Sequence, residues 1–151
     1  MKITFLLLLL LSFETCFSQK KDEQIAADYF FENILKKEEL KYRKIKFSGS
    51  TEKQTSGLIF NASCLNNEEN ITIQSNGFAE TEEAIKLNTE NRKFGSGKSK
   101  LSMHIYQSFE LTPKKKVVVI YLLEKHEHIW YYVLIISDLK IIDWCKITAI
   151  I

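Results

Sequence analysis

Two runs in the C-terminal half, Val117-Val118-Val119-Ile120-Tyr121-Leu122-Leu123 and Ile129-Trp130-Tyr131-Tyr132-Val133-Leu134-Ile135-Ile136, are apolar or aromatic at every position. A strand sends successive side chains to opposite faces, so a strand with one wet face alternates apolar and polar residues. These two do not alternate. They are of strand length, rich in β-branched and aromatic residues, and separated by the polar Glu124-Lys125-His126-Glu127-His128, which marks antiparallel neighbours joined by a short connection. The centre of the resulting sheet must be covered on both faces. Neither Ile129, Tyr131, Val133 and Ile135 nor Trp130, Tyr132, Leu134 and Ile136 can be left to water.

The rest of the chain is read around that pair. Residues 101–111 and 140–148 are further β-rich runs, set off by Pro113-Lys114-Lys115-Lys116 and by Ser137-Asp138-Leu139. Upstream, residues 44–49 and 58–65 predict shorter strands divided by a polar stretch at 50–57, and residues 71–75 another, after a turn at Asn66-Asn67-Glu68-Glu69-Asn70. Helical spacing is clearest over residues 22–42, where Ala27, Phe30, Phe31, Ile34 and Leu35 form one apolar stripe, Asp22 offers an N-cap, and Lys36 and Lys37 suit the later turns. Residues 81–91 predict a second helix through Ala84, Ile85 and Leu87, and 92–100 a loop.

The expected fold is α+β: one N-terminal amphipathic helix packed on a curved antiparallel sheet of about five to seven strands. That order resembles cystatin-like and NTF2-like proteins in shape, by analogy alone and with no motif to carry it. One helical stripe covers one face. The other needs a second layer, a second copy of the chain, or an apolar pocket closed by the sheet's curvature.

The N-terminus predicts an address. Met1 and Lys2 precede an apolar run at residues 3–11 that ends in six leucines, a signal-type core rather than the roughly 20 apolar residues of a membrane-spanning helix. Glu14 interrupts it, Ser18-Gln19-Lys20-Lys21-Asp22-Glu23 follows, and Cys16-Phe17-Ser18 before Gln19 suits cleavage. The expectation is a signal peptide at residues 1–18 and a single α+β domain at 19–151, exported to a periplasm or secreted. The competing reading anchors a lipoprotein through Cys16, against which Phe13-Glu14-Thr15 places a charge where such signals carry small or apolar residues.

Cleavage after Ser18 also removes Cys16, leaving Cys64 and Cys145. An even number in an oxidising compartment favours one disulfide, closing a loop of roughly 80 residues and worth on the order of 4 kcal/mol in the chain-entropy model; the alternative is two buried thiols. The same cut takes away one basic residue, Lys2, and one acidic residue, Glu14, so the net charge stays at +2. Nothing in that balance asks for nucleic acid, and no cofactor is implied.

No catalytic motif survives inspection. Gly95-Ser96-Gly97-Lys98-Ser99 ends like a phosphate-binding loop, but the position five before Gly97 is Arg92 rather than the required Gly. Glu124, His126 and His128 share a face if extended, with His104 as a distant fourth ligand, yet they sit where a hairpin tip belongs, so no metal is expected and His126 and His128 are weak candidates. Lys114, Lys115 and Lys116, with Lys98 and Lys100, offer a basic patch, and Asn61-Ala62-Ser63 and Asn70-Ile71-Thr72 are glycosylation sequons. Asp143, between Ile142 and Trp144, is either on an exposed edge or held by a partner.

These features predict a non-enzymatic exported binding or protein-interaction module. Its ligand is an unidentified protein, a small apolar molecule or a second copy of the chain, met by Trp130, Tyr131, Tyr132 and Asp143. The alternative is a small enzyme with a sheet-lined pocket that uses His104 or Asp143.

Overall fold

The computed structural model of the chain describes residues 21–38, 44–52, 61–75, 84–88, 100–124 and 128–150. The leader with Cys16, the Gly95-Ser96-Gly97-Lys98-Ser99 loop, and His126 lie outside the described residues. The fold is mixed α+β, with two short helices and a six-stranded sheet that does not close. Among the described residues no helix is long and apolar enough to cross a membrane.

The strands are β1 (Lys44–Phe47), β2 (Lys100–Ile105), β3 (Phe109–Thr112), β4 (Lys115–Glu124), β5 (His128–Ser137) and β6 (Lys140–Ile150), in the order β1-β2-β4-β5-β6. β3 pairs with the start of β4, beyond the stretch of β4 that β2 occupies. The two fully apolar runs are β4 and β5, paired in register at the middle of the sheet. The predicted strand at 101–111 breaks into β2 and β3 because the chain leaves the ladder between Ile105 and Phe109.

The hairpin neighbours β3–β4, β4–β5 and β5–β6 are antiparallel, as their short connections require, and β2 also pairs antiparallel with β4. β1 runs parallel to β2. The long stretch of chain between them removes the constraint that forces hairpin neighbours to oppose. Between β5 and β6 the turn is two residues, Asp138 at φ 48° and Leu139 at φ 58°, joining the paired Ser137 and Lys140. Left-handed geometry at both positions is that of a type I′ hairpin turn. Further along, Ile135 faces Asp143 and Ile136 faces Ile141, so Ile142 is an extra residue in β6, a β-bulge.

Helix α1 (Asp22–Tyr29) continues into a π-helical turn at Phe30–Ile34, closed by the Leu35 N–H donating to the Phe30 carbonyl at 2.8 Å. Helical structure therefore ends at Ile34 rather than near residue 42; residues 39–43 lie outside the described set. The widened turn buries Phe30, Phe31, Ile34 and Leu35 together. Lys21, not Asp22, is the N-cap. Asp22 instead binds Lys116 at 2.7 Å, and the Glu23 carboxylate accepts the Ser108 N–H at 2.7 Å. Both acids are buried, and both have a partner that offsets the cost of burial.

One sheet face packs on α1. Leu101, Met103, Ile105, Val118, Ile120, Leu122, Tyr132, Leu134 and Ile136 form that core with Ala26, Ala27, Phe30 and Ile34. On the other face Val117, Val119, Val133 and Ile135 pack under Ala62, Leu65 and Ile73. The second layer thus comes from the chain itself, and it includes a helix where a turn and a strand were expected: α2 (Asn67–Ser75).

The reason is a reciprocal cap. The Glu69 N–H donates to Asn66 Oδ1 at 2.9 Å, and the Asn66 N–H donates to Glu69 Oε2 at 3.0 Å, which starts a helix despite the β-branched Ile71-Thr72-Ile73 that follows. Residues 61–65 are likewise not a strand but a turn, fastened by the buried Asn70 amide. Its Oδ1 accepts the Ala62 N–H at 2.8 Å, and its Nδ2 donates to the carbonyls of Ala62, Leu65 and Asn66 at 3.1–3.2 Å. Residues 84–88 do not form a helix either; Lys86 bridges to Ser50, and Thr51 exchanges bonds with Ile85 through its backbone and hydroxyl.

Cys64 and Cys145 form a disulfide, with Cα atoms 5.5 Å apart and a sequence separation of 81. It pins the α2 layer to β6, a cross-link compatible with an oxidising compartment.

Candidate functional site

The α2 layer packs over Val117, Val119, Val133 and Ile135 on the second face. Beyond it, β2, β4 and β5 carry His104, Tyr121 and Tyr131 at directly paired register positions, a ladder running across three strands. Tyr106 lies two residues past His104 and projects to the same face. The His104 and Tyr121 rings stack at 4.4 Å with 7° between planes; Tyr121 is 5.2 Å from Tyr106 and 5.9 Å from Tyr131. All four side chains are half-buried. His104 and Tyr121 turn their ring faces to each other, while Tyr106 and Tyr131 meet Tyr121 at tilts of 33° and 40°.

Glu52 completes the group. The Glu52 N–H donates to the Ile105 carbonyl at 2.8 Å, and a parallel bridge joins Glu52 to Tyr106. Its carboxylate lies 2.5 Å from His104 Nδ1, with the side chains 39% and 24% exposed respectively. That contact fixes the imidazole plane, and a proton assigned to Nδ1 leaves Nε2 for a second partner.

Burial is the first cause that pushes the Tyr106, Tyr121 and Tyr131 phenols above their ordinary range. Neighbouring Tyr121, Tyr131 and Glu52 charges push Tyr106 further up, and so does its hydrogen bond to Tyr121. At Tyr121 that bond acts in the opposite direction, since its oxygen is the acceptor, while Glu52 and Tyr131 add to burial. All three phenols therefore remain protonated donors at neutral pH.

The residues singled out from the sequence separate. Tyr131 and His104 join the ladder. Tyr132 and Trp130 belong to the opposite, helix-covered face, where Tyr132 is fully buried 5.0 Å from Phe30 and Trp130 is partly buried. Asp143 is exposed on β6, the last strand of the sheet order, and its carboxylate accepts the N–H of the adjacent Trp144 at 2.7 Å. His128 lies 5.7 Å from the Trp130 ring. No group of three His, Cys, Asp or Glu side chains suited to a metal occurs among the described residues. Lys115 and Lys116 bind Glu69 and Asp22, which ties their hairpin to both helices.

Glu52, Tyr106 and Tyr121 were not singled out by sequence. The shared parity of His104 and Tyr106 was a usable signal for one of them; Glu52 sits in a polar stretch whose partner is 52 residues away. No family model matches this chain, and neither a curated protein nor a solved structure matches it.

Proposed function

We propose that the protein is an exported, non-enzymatic interaction module that engages a partner protein through the row of His104, Tyr106, Tyr121 and Tyr131. The observation that carries this reading is the ladder itself. Its rings are ordered by contact with one another before any partner arrives, so binding loses little side-chain freedom, while the row supplies apolar ring surface and protonated hydroxyls together. Glu52 and His104 add polar groups at its margin. The test is to pan a peptide library against the purified protein and map the selected peptides by amide chemical shifts. Shifts should centre on His104, Tyr106, Tyr121 and Tyr131, and Tyr121→Ser should weaken binding about tenfold or more. A footprint centred on another surface, or affinity indifferent to Tyr121→Ser, refutes the proposal.

The close Glu52–His104 contact favours a second reading, a small enzyme in which Glu52 orients His104 as a general base. Turnover of activated esters that falls in both His104→Gln and Glu52→Gln would support it. Equal background rates in all three proteins exclude it.

A further inference from the structure

Tyr132 is fully buried on the helix-covered face, and its hydroxyl meets no hydrogen-bond partner among the described residues. Buried hydroxyls are seldom left this way, because they forgo the bonds they had with water. What surrounds this one is specific. The Tyr132 ring packs edge-on against Phe30 in the π-helical turn of α1, and the Trp144 ring lies 6.4 Å away on β6. Helices widened by a π turn are frequently shaped by a functional site.

Lys146 Nζ stands 5.6 Å from the centroid of the Tyr132 ring and is held by the Glu38 carboxylate at 2.6 Å, both side chains partly exposed. Burial and then the negative charge of Glu38 push the Tyr132 phenol up, so it is a donor throughout the physiological range and lies within reach of the Glu38 field. An unpartnered buried phenol and an ammonium over its ring therefore stand beside the half-buried Trp144 indole, and the resident carboxylate is bonded to the ammonium.

We infer that this end of the helix-covered face binds a small organic carboxylate. Its oxygens accept from the Tyr132 hydroxyl and the Lys146 ammonium in place of Glu38, while its apolar body lies against Trp144. One ammonium beside apolar walls suits a singly charged ligand with a hydrocarbon or aromatic body rather than a phosphate. This site is on the opposite sheet face from the tyrosine ladder and is independent of it.

The chain has two tryptophans, Trp130 and Trp144, and both pack on this core cluster, so intrinsic fluorescence reports on the site directly. The experiment titrates the purified protein with octanoate and, separately, with octanol. Octanoate is expected to give a saturable change, with octanol at least about tenfold weaker because it brings no charge to Lys146. Tyr132→Phe keeps the ring that packs on Phe30 and should weaken octanoate about tenfold without lowering the unfolding midpoint, and Lys146→Met should do likewise. Glu38→Gln, which removes the competing carboxylate, should tighten it. The inference is overturned if octanoate produces no saturable change, if octanol binds as well, or if Tyr132→Phe or Lys146→Met binds octanoate like the parent protein.

Discussion

Replacing both Cys64 and Cys145 by Ala tests how far the α2 layer depends on its covalent tie. The bridge spans 81 residues, and the chain-entropy relation puts the loss at about 4.5 kcal/mol at room temperature. Noncovalent contacts remain: Ala62, Leu65 and Ile73 stay packed on Val119 and Val133, and Glu69 keeps Lys115 at 3.0 Å. The variant should therefore still fold, since domains of this size commonly have about 5–15 kcal/mol in hand, but its melting temperature should drop by roughly 10–20 °C. Urea denaturation of the parent and variant is the assay. The slope should rise in the variant, because a denatured chain without the cross-link exposes more surface. A loss under about 1 kcal/mol with an unchanged slope would refute the argument that the bridge acts by restricting the unfolded chain.

Three further predictions concern local features. Leu139→Gly should stabilise the protein by about 0.5–1 kcal/mol in the same assay, because Leu139 is held at φ 58°, where a side chain is disfavoured; destabilisation contradicts the type I′ turn. Burial tends to raise the Glu69 pKa, but the Asn66 N–H and Lys115 together outweigh it and hold the carboxyl below its ordinary 4.5. Its stabilisation is present above that value and is lost as pH falls through the folded-state pKa, so Glu69→Gln should flatten the acid side of the stability profile, and an unchanged acid limb argues against the pair. Asp143→Ala takes a charge off the edge strand and leaves the Trp144 N–H without its side-chain acceptor. Light scattering should show concentration-dependent association in Asp143→Ala but not in Asp143→Glu, which keeps the charge, and identical behaviour of the two contradicts an edge-protecting role.

The parts of the fold legible in the sequence are those fixed by hydrophobic continuity. β4 and β5 had to be central strands covered on both faces because their runs at residues 117–123 and 129–136 do not alternate, and the first helix had to cover one face because Ala27, Phe30, Phe31, Ile34 and Leu35 recur at helical spacing. The second cover was not legible as a helix. α2 buries Ile73 while leaving Ile71 exposed, so it has no continuous apolar stripe, and Ile71-Thr72-Ile73 has the local preference of a strand. The signal present was Asn66 three residues before Glu69, a cap whose force comes from side chain to backbone bonding rather than from periodicity.

The candidate site was half legible for a related reason. Tyr131 could be assigned to a face by parity, but its neighbours depend on strand order, which periodicity does not encode. His104, Tyr121 and Tyr131 become a ladder only when β2, β4 and β5 lie side by side, and Glu52 reaches His104 only through a bridge to Tyr106. The requirement that both faces be covered was sound, yet it specifies an amount of cover and not its extent. The described cover, anchored by the Cys64–Cys145 bridge, packs over Val117, Val119, Val133 and Ile135. Where the row passes to His104, Tyr121 and Tyr131, the side chains have polar atoms and can stand at the boundary with water, which aliphatic residues cannot do without cost. The change from valine and isoleucine to tyrosine and histidine along one face is thus the sequence trace of where fully buried aliphatic side chains give way to half-buried ones with polar atoms.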